Sequence, residues 1–167
     1  MKQWFKKYSI PLTLIPVVLT MGLIFAFSAQ TGETSGALSG EITRWVLRTV
    51  MPNWENMSAQ EQAQLLNTLG LVIRKLVHFS EYALLGFFLM LHIRQIETRT
   101  KVRFSWLIAW GVGTAYAASD ELHQRFVGGR GPAVTDVCID SSGVIAGVAA
   151  LLALAFLLKG KKEKTQD

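Results

Sequence analysis

The sequence predicts an all-α integral membrane protein with four transmembrane helices in a single domain over residues 1–167, and with short external interfacial helices between the first and second. Three observations predict it. Half of the chain is apolar and its mean hydropathy is +0.31, high for a protein dissolved in water. The apolar residues collect in blocks at 9–27, 69–93, 104–122 and 137–158, each near the ~20 residues that carry a helix across ~30 Å of hydrocarbon. The basic residues, finally, flank those blocks rather than spreading evenly. Lys2, Lys6 and Lys7 precede the first; Arg94, Arg99, Lys101 and Arg103 join the second to the third; Lys159, Lys161, Lys162 and Lys164 come after the fourth, together eleven of 17.

With four spans those three segments share one side of the membrane, which the positive-inside rule makes the cytoplasm. The expected location is the bacterial cell (inner) membrane, multi-pass, with both termini cytoplasmic and residues 28–68 and 120–136 outside. The same distribution removes the usual reading of a net charge of +5, an affinity for nucleic acid, because the cations mark topology instead of forming a patch. The basic start and the apolar run ending at Ala26-Phe27-Ser28 also resemble a secretory signal, but the run is long enough to span. A single cysteine, Cys138, has no partner for an internal disulfide and reads as a small apolar helix residue.

Each element has its own signature. Pro11 and Pro16 are expected in the first turns of the first helix, where a missing amide donor is tolerated. Ser28 to Gly36 is polar and rich in glycine, and so reads as loop. Ile42, Trp45, Val46 and Thr49 then recur at i, i+3, i+4, i+7 with Glu41, Arg44 and Arg48 opposite, the pattern of a helix lying on a surface. Trp45 and Trp54 suit the headgroup level, although a helix packed over the bundle mouth would look the same. Ser58-Ala59-Gln60-Glu61 is a capping box that starts a further short helix, with Gly70 as a bend before the second span.

The second span carries the chemistry. Arg74, Lys75, His78, Glu81 and Tyr82 cover about 120° of its wheel, opposite Leu76, Val77, Leu84 and Phe88. A charge facing lipid costs at least ~2.5 kcal/mol, so that face is expected to look into the bundle or into water. Asp136, Asp140, Gly143 and Gly147 form an acidic, then backbone-close stripe on the fourth span, and Gly113, Tyr116, Asp120 and His123 a corresponding one on the third. Gly143 and Gly147 read as packing, and His92, at the opposite end, as an interfacial side chain reaching toward water. Between the last two spans, Gln124 to Pro132 is a turn that leaves Arg130 free to point back at the acids.

Three functional readings arise from these groups. Arg74, Lys75 and Arg130 would hold a phosphate or carboxylate of an envelope lipid or wall precursor, with His78, Glu81, Asp120 and His123 as acids and bases; the residues leave open whether they catalyse or only bind. A metal site drawn from His78, Glu81, Asp120, Glu121 and His123 ranks below it, since no His-Glu-x-x-His is present, and neither metal nor cofactor is expected. A non-enzymatic modulator using Trp45 and Trp54 is the third. Against all of them stands a purely structural network of intramembrane ion pairs.

The residues also resemble a known family, the VanZ-like membrane proteins linked to teicoplanin resistance. The similarity runs through Phe27-Ser28-Ala29-Gln30, then Arg74-Lys75-Leu76-Val77-His78-Phe79-Ser80-Glu81-Tyr82 with Leu85-Gly86, then Asp120-Glu121-Leu122-His123-Gln124, Phe126, Gly129-Arg130, Asp136, Asp140 and Gly143. Gly128 stands where the family pattern has proline, which loosens that turn. The resemblance implies a multi-pass helical fold and an association with teicoplanin and lipoglycopeptide resistance. It adds Ser28 and Gln30 to a binding set of Arg74, Lys75, Tyr82, Glu121, Gln124, Arg130, Asp136 and Asp140, and makes a membrane lipid or lipid-linked wall precursor the expected partner, with a glycopeptide involved indirectly. It supplies no reaction.

Overall fold

The computed structural model describes residues 2–97, 100, 103–129 and 133–163, with side chains over the same ranges apart from 2–9 and 160–163. Arg130 and the Gly131-Pro132 turn therefore lie outside the described residues. The architecture is all-helical: α1 (Lys2–Ser28), α2 (Gly32–Val50), a single 3₁₀ turn at Trp54–Asn56, α3 (Ala59–Glu97), α4 (Ser105–Gln124) and α5 (Val134–Glu163). Among the described residues there is no strand.

Side-chain contacts fix the directions of the helices. Thr13 near the start of α1 meets His92 near the end of α3, while Ser28 at the end of α1 meets Gln124 at the end of α4. Lys75, in the middle of α3, pairs with Asp136 in the first turn of α5. Hence α1 and α4 run one way and α3 and α5 the other, so that the beginning of α1 and the end of α5 share one end of the bundle. His92 does not reach for water as expected: its Nδ1 lies 3.0 Å from Thr13 Oγ1, and the ring is part of the α1–α3 seam.

The seam between α3 and α5 is close, and glycine is the reason. A Cβ at Gly143 or Gly147 would run into the backbone carbonyls of Phe79 and Ala83, and one at Gly86 into the backbone of Val144. Only hydrogen on these α-carbons lets the two backbones approach, as the small-residue stripe foretold. Around this seam sits the core of Tyr82, Leu85, Leu89, Met90, Ala117, Val144 and Val148, closed on one side by Val17 and Ile24 of α1.

Among the described residues three helices, not the expected four, are long and apolar enough to cross a membrane: α1 over Ile10–Ser28, α3, and α5 over Val134–Lys159. The shortfall is α4. Its 20 residues include four alanines, two glycines, Asp120, Glu121 and His123, so its average hydropathy is too low although it returns the chain through the bundle between the parallel α3 and α5. Outward faces carry the opposite character. Leu19 is 62% exposed and Phe156 78%, and only 17% of the apolar stretch of α1 is buried within the protein, so these faces need an apolar neighbour from elsewhere.

The connection between α1 and α3 departs most from expectation. Residues 32–36, read as loop, are the first turns of the 19-residue α2, because Thr31 Oγ1 accepts from the Thr34 amide at 3.3 Å and caps it. The capping box at Ser58 is present, with Ser58 N donating to Glu61 Oε2 at 2.9 Å and Glu61 N to Ser58 Oγ at 3.3 Å. The helix it starts is not short, nor does Gly70 interrupt it: α3 is one unbroken helix of 39 residues. Thr43 and Leu47 dock α2, and Thr43 Oγ1 fits beside Gly70. Of the stripe read as lying on a surface, Ile42 and Trp45 point outward, with Trp45 68% exposed. Trp54 is buried instead of lying at a headgroup level; Gln62 Nε2 donates to its carbonyl at 2.8 Å and locks the turn. Pro11 and Pro16 sit inside α1 rather than in its first turns, since that helix begins at Lys2.

Candidate functional site

At the end of the bundle away from the chain termini, α3, α5 and the last turn of α4 enclose a pocket of about 180 Å³. Arg74, Lys75 and His78 form its α3 wall, Asp136, Ile139 and Asp140 its α5 wall, and Gln124 and Gly129 close it from the α4 side. The wall is built by register. One helical turn separates Arg74 and Lys75 from His78, and one turn separates Asp136 from Asp140, so parallel packing of α3 on α5 sets cations against acids at two successive levels.

The two levels differ. At the outer one Lys75 Nζ donates to Asp136 Oδ1 at 2.7 Å, a pair whose side chains are 46% and 37% exposed and which is therefore worth little. At the inner one His78 Nδ1 stands 3.9 Å from Asp140 Oδ1, too far for a hydrogen bond. Asp140 is fully buried, and among the described residues neither carboxylate oxygen has a hydrogen-bond partner. A buried carboxylate left unsatisfied costs several kcal/mol in an apolar interior, so its retention asks for a reason outside the fold. Arg74 borders the same pocket without an acid paired to it among the described residues.

Behind this layer lie further acids and a phenol. Asp120 is 3% exposed and Tyr82 wholly buried; among the described residues Asp120 Oδ1 and the Tyr82 hydroxyl have no hydrogen-bond partner. Tyr82 packs toward Tyr116 with ring centroids 6.2 Å apart, and Tyr116 is satisfied by donating to the Met21 carbonyl at 2.7 Å. A second cavity of about 270 Å³ opens on the other side of α3, between it, α2 and the end of α1. Its wall is largely apolar, from Phe27, Leu38, Ile42, Ile73 and Val77, with Gln30, Ser35, Ser39 and Glu81 as polar members. Arg74 and His78 belong to both cavities.

The residues singled out in the sequence thus divide. Arg74, Lys75, His78, Gln124, Asp136 and Asp140 meet around the polar pocket, and Gln30 and Glu81 fall in the apolar one. Ser28 and Gln124 are tied to each other: Gln124 Nε2 donates to Ser28 Oγ at 2.8 Å and to Asp120 Oδ2 at 3.1 Å, which fastens α1 to α4. Glu121 accepts the Ala133 amide at 3.0 Å and so holds the turn into α5 rather than lining either cavity. His123 stacks on Phe25 at 4.7 Å, on the α1 side and away from His78. Among the described residues no three His, Cys, Asp or Glu side chains gather closely enough to hold a metal ion.

Other residues were not visible as partners in the sequence. Leu71 and Ile139 line the polar pocket; apolar residues inside a span carry no distinguishing signal. Trp110 Nε1 donates to Ser141 Oγ at 2.9 Å and Thr114 Oγ1 lies 2.8 Å from the same atom, a polar link across α4 and α5 that a wheel of each helix separately does not reveal. Near the pocket mouth the Gly32 amide donates to the Gly128 carbonyl at 3.1 Å, and Gly129, at φ +76°, lies against Gly32. Glycine suits both positions, one by its left-handed backbone and one by the closeness of approach.

Comparison with known proteins gives one match: the family model described as VanZ/LLP1 covers residues 13–157, nearly the whole chain. No curated protein and no solved structure matches.

Proposed function

The chain belongs to the VanZ/LLP1 family, and from that premise we propose that it is a multi-pass protein of the bacterial cell membrane whose polar pocket faces outward and takes the headgroup of an anionic envelope lipid or lipid-linked wall precursor. Both termini are then cytoplasmic, with the basic flanks. The observation that carries this reading is the polar pocket itself, where, among the described residues, Arg74 has no paired acid and the buried Asp140, one turn further in, has no hydrogen-bond donor. A guanidinium fork matches a phosphate, and an unsatisfied carboxylate matches the hydroxyl or ammonium that such headgroups also carry. His78 stands between them, positioned to donate to the anion or to move a proton. An effect on teicoplanin or lipoglycopeptide susceptibility would result from binding or altering that lipid.

The structural alternative draws on the Lys75–Asp136 pair, which is formed without any ligand. The two readings part on a single comparison. Arg74→Ala and His78→Ala are expected to leave the amount and thermal stability of the protein nearly unchanged while anionic lipid co-purifying with it falls at least tenfold, read by mass spectrometry of the detergent-solubilised protein. Unfolding of both variants, with lipid content per folded molecule unchanged, would support the network and overturn the proposal. The modulator that would use two exposed tryptophans loses one of them, because Trp54 is buried.

A further inference from the structure

We infer that the polar pocket and the apolar cavity beside it are two halves of one site for a long-chain anionic lipid, with the headgroup over Arg74 and His78 and a hydrocarbon chain lying between α2 and α3. The inference rests on the headgroup reading above and adds the class of substrate: an amphiphile held by its chain as well as its charge, not a free phosphate or a water-soluble wall fragment.

The shared wall is the first argument. Arg74 and His78 border both cavities, so the polar and apolar halves adjoin across the ridge that these two side chains form on α3, and an amphiphile lying over that ridge reaches both. The second is how the apolar half opens. Leu38 and Ile42 line it and are 47% and 42% exposed, and with Trp45 they succeed one another at i, i+4, i+7 along the outer face of α2. The cavity therefore ends on an apolar helix face rather than in water or in the core, which is where a chain longer than about 270 Å³ of space would have to leave. A third argument is the docking of α2 itself. Its buried contacts are Thr43 and Leu47, so its first half, Ser35 to Ser39, stands over the cavity as a wall instead of filling it. Glu81, one turn beyond His78, and Gln30 place hydrogen-bonding groups in that wall, as a glycerol or ester junction would need.

The test uses the full chain in detergent with three probes: dioleoyl phosphatidylglycerol, dihexanoyl phosphatidylglycerol and inorganic phosphate. The wild-type protein is expected to bind the long-chain lipid at least tenfold more tightly than the short-chain one. Ser39→Phe, which fills the apolar half, is expected to abolish that preference while short-chain binding stays as it was; Leu38→Glu, at a half-exposed position that the fold does not depend on, is expected to do the same should Ser39→Phe fold poorly. A chain-length preference that survives both substitutions, or phosphate binding as tight as the long-chain lipid, overturns the bipartite site while leaving the headgroup reading standing. Failure of all three probes to bind the wild-type protein overturns both.

Discussion

The polar groups in the middle of the bundle and at its terminus-bearing end differ from those at its far end in one respect. The former are satisfied: Thr13 with His92, Tyr116 with the Met21 carbonyl, Trp110 and Thr114 with Ser141. At the far end Gln124 and Ser28 are tied to each other, but Asp140 and one oxygen of Asp120 are buried without a hydrogen-bond partner among the described residues. An interior closes its hydrogen bonds wherever only packing is at stake, so the contrast separates scaffold from site within a single bundle.

Breaking the scaffold should have the largest effect. Gly147→Leu drives a side chain into the Ala83 carbonyl, and with no flexible group to yield, the α3–α5 seam must open. The expected cost is about 3 kcal/mol or more, read as a large fall in the thermal midpoint and in folded yield; a midpoint within a few degrees of wild type would mean the two backbones are not held so close. The smallest effect is expected at the outer level of the pocket. Lys75→Ala removes a half-exposed pair and should cost under about 1 kcal/mol, and a little less at high salt; a cost of several kcal/mol would place that pair in the scaffold and weaken the distinction.

The sequence showed the fold where lipid-length hydrocarbon or helical periodicity was decisive. The apolar blocks at 9–27, 69–93 and 137–158 lie within α1, α3 and α5, and the glycine stripe on α5 meets α3 as its spacing implied. It misled where one residue type serves two purposes. Glycine, serine and threonine after Ser28 read as loop, yet Thr31 is a helix cap and Gly32 and Gly36 lie in the helix that it starts. Small and acidic residues made α4 too polar to count as a span by composition, although packing on three sides gives it a place in the bundle.

For the site, the wheel of α3 placed Arg74, Lys75, His78, Glu81 and Tyr82 on one face, and that face proved wide enough to look in three directions. Lys75 turns to the polar pocket, Glu81 to the apolar cavity and Tyr82 to the core, while Arg74 and His78 stand on the ridge between the cavities. Which neighbour each would meet depends on the azimuths of α2 and α5 around α3, and no single-helix pattern contains them. Ser28, Glu121 and Gln124 carried the family pattern, but their hydrogen bonds join α1 to α4 and brace the turn into α5.

The division between satisfied and unsatisfied groups is tested most directly by measuring both stability and dioleoyl phosphatidylglycerol binding in Asp140→Asn and Ser141→Ala, neighbours in sequence of which one lines the polar pocket and the other is bonded to α4. Asp140→Asn removes a buried charge that has no hydrogen-bond partner among the described residues, so stability should hold or rise slightly while binding drops at least tenfold. Ser141→Ala strands Trp110 Nε1 and the Thr114 hydroxyl, so stability should fall by about 1–2 kcal/mol with binding intact. The opposite pattern, a destabilised Asp140→Asn that still binds lipid as well as the wild-type protein, would contradict the account.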